Sequence, residues 1–165
     1  MWLRRLVLGT RRTIAGTVYG TIVVLATLMG GAAGFKDNLW KLAVVAAMTT
    51  LVLWVAHVYA HGLGESLSLG RRLTAGELGE VALHELSIPL AAVLPLAAVV
   101  LGAVGVLEGR TALWLAFGIG LVTLGGQGVR YARAESLSTT GTVVSVGVNV
   151  ALGLVIVVMK AVVTH

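Results

Sequence analysis

Cysteine is absent from the 165 residues, which rules out disulfides, thiolate metal sites and cysteine nucleophiles together. Charge is scarce as well. Charged residues make up 12% of the chain, about half the share of a soluble domain. With 58% hydrophobic residues, no polar shell is left to cover a water-soluble core. The single aspartate, Asp37, stands between two apolar runs, so an intramembrane aspartate-pair protease is excluded. A Gly-Lys-Ser/Thr phosphate loop and a Gly-x-Ser-x-Gly nucleophile elbow are also missing. The net charge of +5 does not point to nucleic acid: the basic residues sit at the ends of apolar segments, without a basic stripe or stacking aromatics.

What is present is a series of long apolar runs, each near the ~20 residues needed to cross a bilayer core. They imply an all-α membrane protein, a single domain over residues 1–165, with five transmembrane helices plus one short amphipathic cytoplasmic helix. The first span covers about 13–33. It continues past the length of a cleavable signal, which argues against an export leader at Arg11-Arg12. The second covers about 39–61, with Trp40 and Lys41 at its outer interface. Gly62 and Gly64 are expected to end it, opening a cytoplasmic loop over 62–87. Within that loop Thr74-x-x-Glu77 reads as a capping box for a short helix with Glu77, Glu80 and His84 on one face.

Pro89 cannot donate to the Glu85 carbonyl, so a bend is expected where this helix turns into the third span, about 88–107. Pro95 is expected to break that span a second time. Glu108-Gly109-Arg110 reads as a turn with Thr111 capping a fourth span, about 112–129, loosened at its inner end by Gly125-Gly126-Gln127-Gly128. The fifth covers about 142–163, where Asn149 is the strongest mid-depth polar group, expected to bond across to a neighbouring helix. Gly16-x-x-x-Gly20 and Gly30-x-x-x-Gly34 offer small faces for close helix approach. Five spans do not divide into two equal halves, which disfavours the inverted-repeat transporter plans.

Lys and Arg set the orientation. Arg4, Arg5, Arg11, Arg12, Arg71, Arg72, Arg130 and Arg133 fall on one side; Lys36, Lys41, Arg110 and Lys160 fall on the other. The positive-inside rule puts the N-terminus in the cytoplasm and the C-terminus outside.

The chemistry-bearing groups gather at the cytoplasmic rim. No acid lies in the middle of a span, which lowers the case for a proton-coupled pump. His57 and His61 are four apart on one helix face, a spacing suited to metal. Across the short connector His84, with Glu80 and Glu85, begins the third span at the same membrane face, whereas Glu65 lies beyond the helix-ending Gly62 and is set aside. His57, His61, Glu80 and His84 are therefore the candidate metal ligands, for a divalent transition metal such as zinc. The plain alternative is that these amphipathic side chains sit at the interface they prefer, with no cofactor at all. Zincin-type His-Glu-x-x-His is absent, since Val58 follows His57. A bis-histidine haem would have to use His57 with His84, and four histidines, His165 among them, are too few for a histidine-rich di-iron enzyme.

Trp54 to His61, the Thr17-Val18-Tyr19-Gly20 start of the first span and the Gly153-Leu154-Val155-Ile156-Val157 run of the last resemble a group of small uncharacterised integral membrane proteins of GC-rich actinobacteria. The resemblance implies a bacterial inner-membrane setting, no established activity and no functional residues. The expectation is a structural or accessory membrane subunit, not an enzyme, in contact with the lipid bilayer and with itself or a partner through glycine-rich faces. A small metal-binding or metal-transporting protein is the competing expectation.

Overall fold

The structure, a computed structural model, describes residues 11–32, 34–35 and 38–163. Arg4, Arg5, Lys36, Asp37 and His165 lie outside them, as do the side chains of Arg11, Arg12 and Lys160. Among the described residues there are six helices and no strand: α1 (Arg11–Ala32), α2 (Leu39–Leu69), α3 (Ala75–His84), α4 (Ser87–Ala103), α5 (Gly109–Ala134) and α6 (Thr139–Val163). The all-α class expected from composition is what forms. Helices α1, α2, α5 and α6 are each long and apolar enough to cross a bilayer, and α3 with α4 makes a fifth candidate, bent by 42°.

Helix α1 is the hub, packed against α2, α4, α5 and α6. Its Val24, Leu25 and Leu28 are fully buried, with Leu42, Ala46, Val99, Ala116 and Leu124 completing the core around them. Thr21 is equally buried and donates its hydroxyl back to the Thr17 carbonyl at 2.8 Å, so this hydroxyl is not stranded in the core. Close approach depends on small residues. A Cβ placed on Gly20 would lie 2.3 Å from the Ile88 carbonyl oxygen of α4, and one on Gly128 would lie 2.7 Å from the Val146 Cα of α6. Of the two expected small faces, Gly16-x-x-x-Gly20 is used within the chain, against α4. Gly30 has nothing near it, and Gly34 lies past the end of α1.

Several boundaries differ from the sequence reading. Helix α2 does not stop at His61: it runs through Gly62 and Gly64 to Leu69 and ends at Gly70, whose φ of 63° is the left-handed conformation that glycine adopts at little steric cost. Gly62 is retained inside the helix because α3 packs there, with Leu78 Cδ1 3.0 Å from where a Cβ would sit. The supposed loop over 62–87 is therefore two more turns of α2, a short connection, and α3. Helix α4 passes through Pro95 unbroken but ends at Ala103, where Gly105 turns left-handed and the Val106 and Leu107 amides return to the Leu101 carbonyl. Glu108, not Thr111, is the residue before α5. Gly125 to Gly128 do not loosen α5, which continues to Ala134, because Gly128 is where α6 comes closest. Asn149 bonds the Ser145 carbonyl of its own helix; the bond between helices is Ser145 Oγ to the Gly128 carbonyl, 3.0 Å.

Candidate functional site

At 1.5 Å per residue α2 is roughly 46 Å long, against a hydrocarbon core of ~30 Å. Measured from Trp40 and Lys41, a core of that thickness would reach to about His57–His61 and leave the last two turns of α2 beyond it. Helix α3 folds back along this projecting end. Its N-terminus carries the full capping box: Thr74 Oγ1 accepts from the Glu77 amide, and the Thr74 amide donates to Glu77 Oε2 at 2.8 Å. Arg71 closes the same corner with two guanidinium hydrogen bonds to Glu77, at 2.6 and 3.0 Å. Arg71 first, then Thr74, holds the Glu77 carboxyl at about 2, well below the usual carboxylate range.

Two contacts between helices fix where α3 lies. Trp54 Nε1 donates to the Ala82 carbonyl at 3.2 Å, so this indole clasps α3. Just past α3 the chain bends, as Pro89 implied, with the Ile88 amide bonded to the Glu85 carbonyl at 3.0 Å. The bend swings Glu85 under α2. The Glu85 carboxylate is buried, 7% exposed, and its Oε1 lies 2.6 Å from His61 Nδ1.

His61 and Glu85 line two cavities at once. One, of about 240 Å³, lies among α1, α2 and the start of α4, lined also by Ala15, Gly16, Tyr19, His57 and Ile88. The other, of about 570 Å³, lies between the projecting end of α2 and α3, with Gly64, Glu65, Ser68 and His84 on its walls. His57 donates from Nδ1 to the Leu53 carbonyl one turn back, 3.1 Å away, since a carbonyl can only accept. Its ring lies 4.6 Å from the Tyr19 ring and 6.2 Å, edge to face, from His61.

Of the four proposed ligands, then, His57 and His61 share a cavity, His84 opens on the other side of the His61–Glu85 pair, and Glu80 lines neither. Among the described residues no three or more His, Asp or Glu side chains come together closely enough to hold a metal ion as they stand. Sequence reasoning gave three participants too little weight. Of the two carboxylates named beside His84, Glu85 and not Glu80 meets α2, because the bend, not the face of α3, decides it. Tyr19 comes from α1, where only the neighbouring Gly16 and Gly20 signalled a close approach. Glu65, set aside as lying beyond the helix end, is on the continued α2 and lines the larger cavity.

Ser87 completes the local picture. Its hydroxyl is buried without a hydrogen-bond partner, pressed against Gly16 of α1. Comparison with protein-family models, curated proteins and solved structures gives no match to this chain.

Proposed function

We propose that the chain is a multi-pass integral membrane protein acting as a structural or accessory subunit, and not as an enzyme. Its setting is a bacterial cytoplasmic membrane, with the N-terminus inside and the C-terminus outside. The observation that carries the reading is the apolar surface left outside the bundle. On α2, Val44, Met48, Val52 and Val55 are each more than half exposed, and only 6% of the apolar window of α6 is buried. In water such a surface would be an aggregation liability; lipid or a protein partner removes the penalty.

Small residues on that outer surface suit a partner helix. Gly118 and Gly126 of α5, two turns apart around exposed Val122, meet nothing within 4 Å, and neither does Gly147 of α6, one turn before exposed Ala151. Faces of this kind let two membrane helices approach closely. The test is the mass of the particle in native-lipid nanodiscs and in mild detergent, with cross-linking in intact membranes. The reading calls for a dimer or larger complex, lost on Gly147→Leu or Gly126→Leu. A monomer under every condition would overturn it.

A further inference from the structure

We propose that His57 and His61 form a two-histidine site for a divalent first-row transition metal, with Glu85 and the Leu53 carbonyl orienting the two rings. The proposal is independent of the subunit reading. It rests on which ring nitrogens are already used, not on the four-residue spacing alone.

In a neutral imidazole one nitrogen carries the proton and the other a lone pair. His57 Nδ1 faces a carbonyl, which only accepts, so that nitrogen bears the proton and Nε2 keeps the lone pair. His61 Nδ1 faces the buried Glu85 carboxylate at 2.6 Å, and an ionised carboxylate likewise only accepts. His61 Nε2 is thus a lone-pair donor too. Histidines that ligate metals almost always give their other ring N–H to a carboxylate or a backbone carbonyl. Here one ring has each kind of support, before any metal is bound.

Both rings line the same cavity of about 240 Å³, with centroids 6.2 Å apart. That volume has room for several waters at ~30 Å³ each, and water fills the coordination positions that the protein leaves open. Ala15, Gly16 and Ile88 make the rest of the wall apolar, while Tyr19, its ring tilted by 45° with its centroid 4.6 Å from that of His57, restricts the movement of the His57 ring. Two imidazoles with water favour copper, nickel, cobalt or zinc over magnesium or calcium, which prefer oxygen donors. Glu80 and His84 have no part in this donor set.

The test is titration of the untagged full-length protein in detergent with Cu²⁺, Zn²⁺, Co²⁺ and Mg²⁺, in a His165→Ala background that removes the terminal imidazole. One equivalent should bind, in the order Cu²⁺ ahead of Zn²⁺ and Co²⁺, with Mg²⁺ silent. His57→Ala or His61→Ala should abolish binding. Glu85→Gln should weaken it by about 10–100-fold, and Glu80→Gln and His84→Ala should leave it unchanged. If the histidine variants fail to fold, paramagnetic resonance of the Cu²⁺-loaded parent still decides, since the site requires hyperfine coupling to two nitrogens. Absence of binding, a single-nitrogen spectrum, or binding that survives the double histidine substitution overturns the proposal, as does binding that depends on His84 or Glu80.

Discussion

His61 Nδ1 lies 2.6 Å from Oε1 of Glu85, a residue 24 positions further on and on the far side of a helix bend. The pair joins the last apolar turn of α2 to the point where α3 becomes α4. The imidazole is more than half exposed while the carboxylate is almost wholly buried, so the two ends are not equivalent. Removing the histidine leaves a buried acceptor unsatisfied, which costs about 1–3 kcal/mol. His61→Ala should therefore destabilise the detergent-solubilised protein by about that amount, whereas Ala at exposed His84 should be near neutral. Unfolding followed by circular dichroism in a denaturing detergent compares them directly; equal effects would mean that the pair does not hold the bend.

Gly20 and Gly79 make opposite predictions from the same substitution. Alanine is a better helix former than glycine by about 1 kcal/mol, and Gly79, exposed on α3, has open space around it. Gly79→Ala should thus be neutral or slightly stabilising. At Gly20 a methyl group would meet backbone, the Ile88 carbonyl oxygen at 2.3 Å, and backbone cannot swing aside. Gly20→Ala should cost about 1–3 kcal/mol, the usual penalty for overpacking. Melting of both variants in the same detergent checks the sign.

Ser87 allows a coupled test one turn earlier on α1. A Cβ on Gly16 would lie 2.1 Å from Ser87 Oγ but 3.3 Å from Ser87 Cβ, so the obstacle is the hydroxyl itself. That hydroxyl is buried and unpartnered, and deleting it removes an unsatisfied group. Ser87→Ala should be neutral or stabilising alone, and should recover most of the stability lost in Gly16→Ala. A double-mutant cycle reads the coupling; simple additivity would contradict this account.

The limits of the sequence reading follow from these same residues. Apolar runs were enough for the helices and their class, because nothing but a helix satisfies the backbone over such lengths in lipid. Pro89 located the bend and Thr74-x-x-Glu77 the start of α3, since both act within a few residues. Gly62 and Gly64 misled because a mid-helix glycine costs only about 1 kcal/mol, and the packing of Leu78 on Gly62 is invisible locally. Which carboxylate meets His61 was hidden for a related reason. Glu80 shares a face with His84 on α3, but Glu85 lies beyond the last turn, where the bend carries it under His61. Tyr19 left no local signal, as its partner His57 is on another helix.

The Arg71–Glu77 pair makes the N-terminal corner of α3 sensitive to acid. The Glu77 carboxyl is lowered in the folded chain from 4.5 to about 2, so the folded state favours its ionised form. The stabilisation is fully present above the unfolded value, near pH 4.5, and is lost as pH falls through the folded value near 2. Amide exchange of residues 74–80, corrected for intrinsic rates, should therefore accelerate between about pH 4.5 and 2 in the parent. Glu77→Gln should flatten that change while keeping the Thr74 cap. An identical pH profile in both proteins would mean that the ion pair does not hold the corner.

The absence of native cysteine makes membrane orientation directly testable, because any introduced thiol is the only one in the chain. Ser68 is exposed near the end of α2, beside the Arg71–Arg72 corner, whereas Glu108 sits in the turn between α4 and α5. The proposed topology, in which the chain crosses once between Ser68 and Glu108, has these positions on opposite sides of the bilayer. In the proposed orientation, drawn from the excess of Arg near Ser68, that side is cytoplasmic. In intact spheroplasts, a membrane-impermeant maleimide should label Glu108→Cys and spare Ser68→Cys, and lysis should expose both. The reverse pattern would invert the proposed topology. Labelling of both before lysis would mean that α4 does not cross and that the bent α3–α4 pair is re-entrant, with the 17 residues of α4, about 25 Å of helix, lying along the membrane instead of through it.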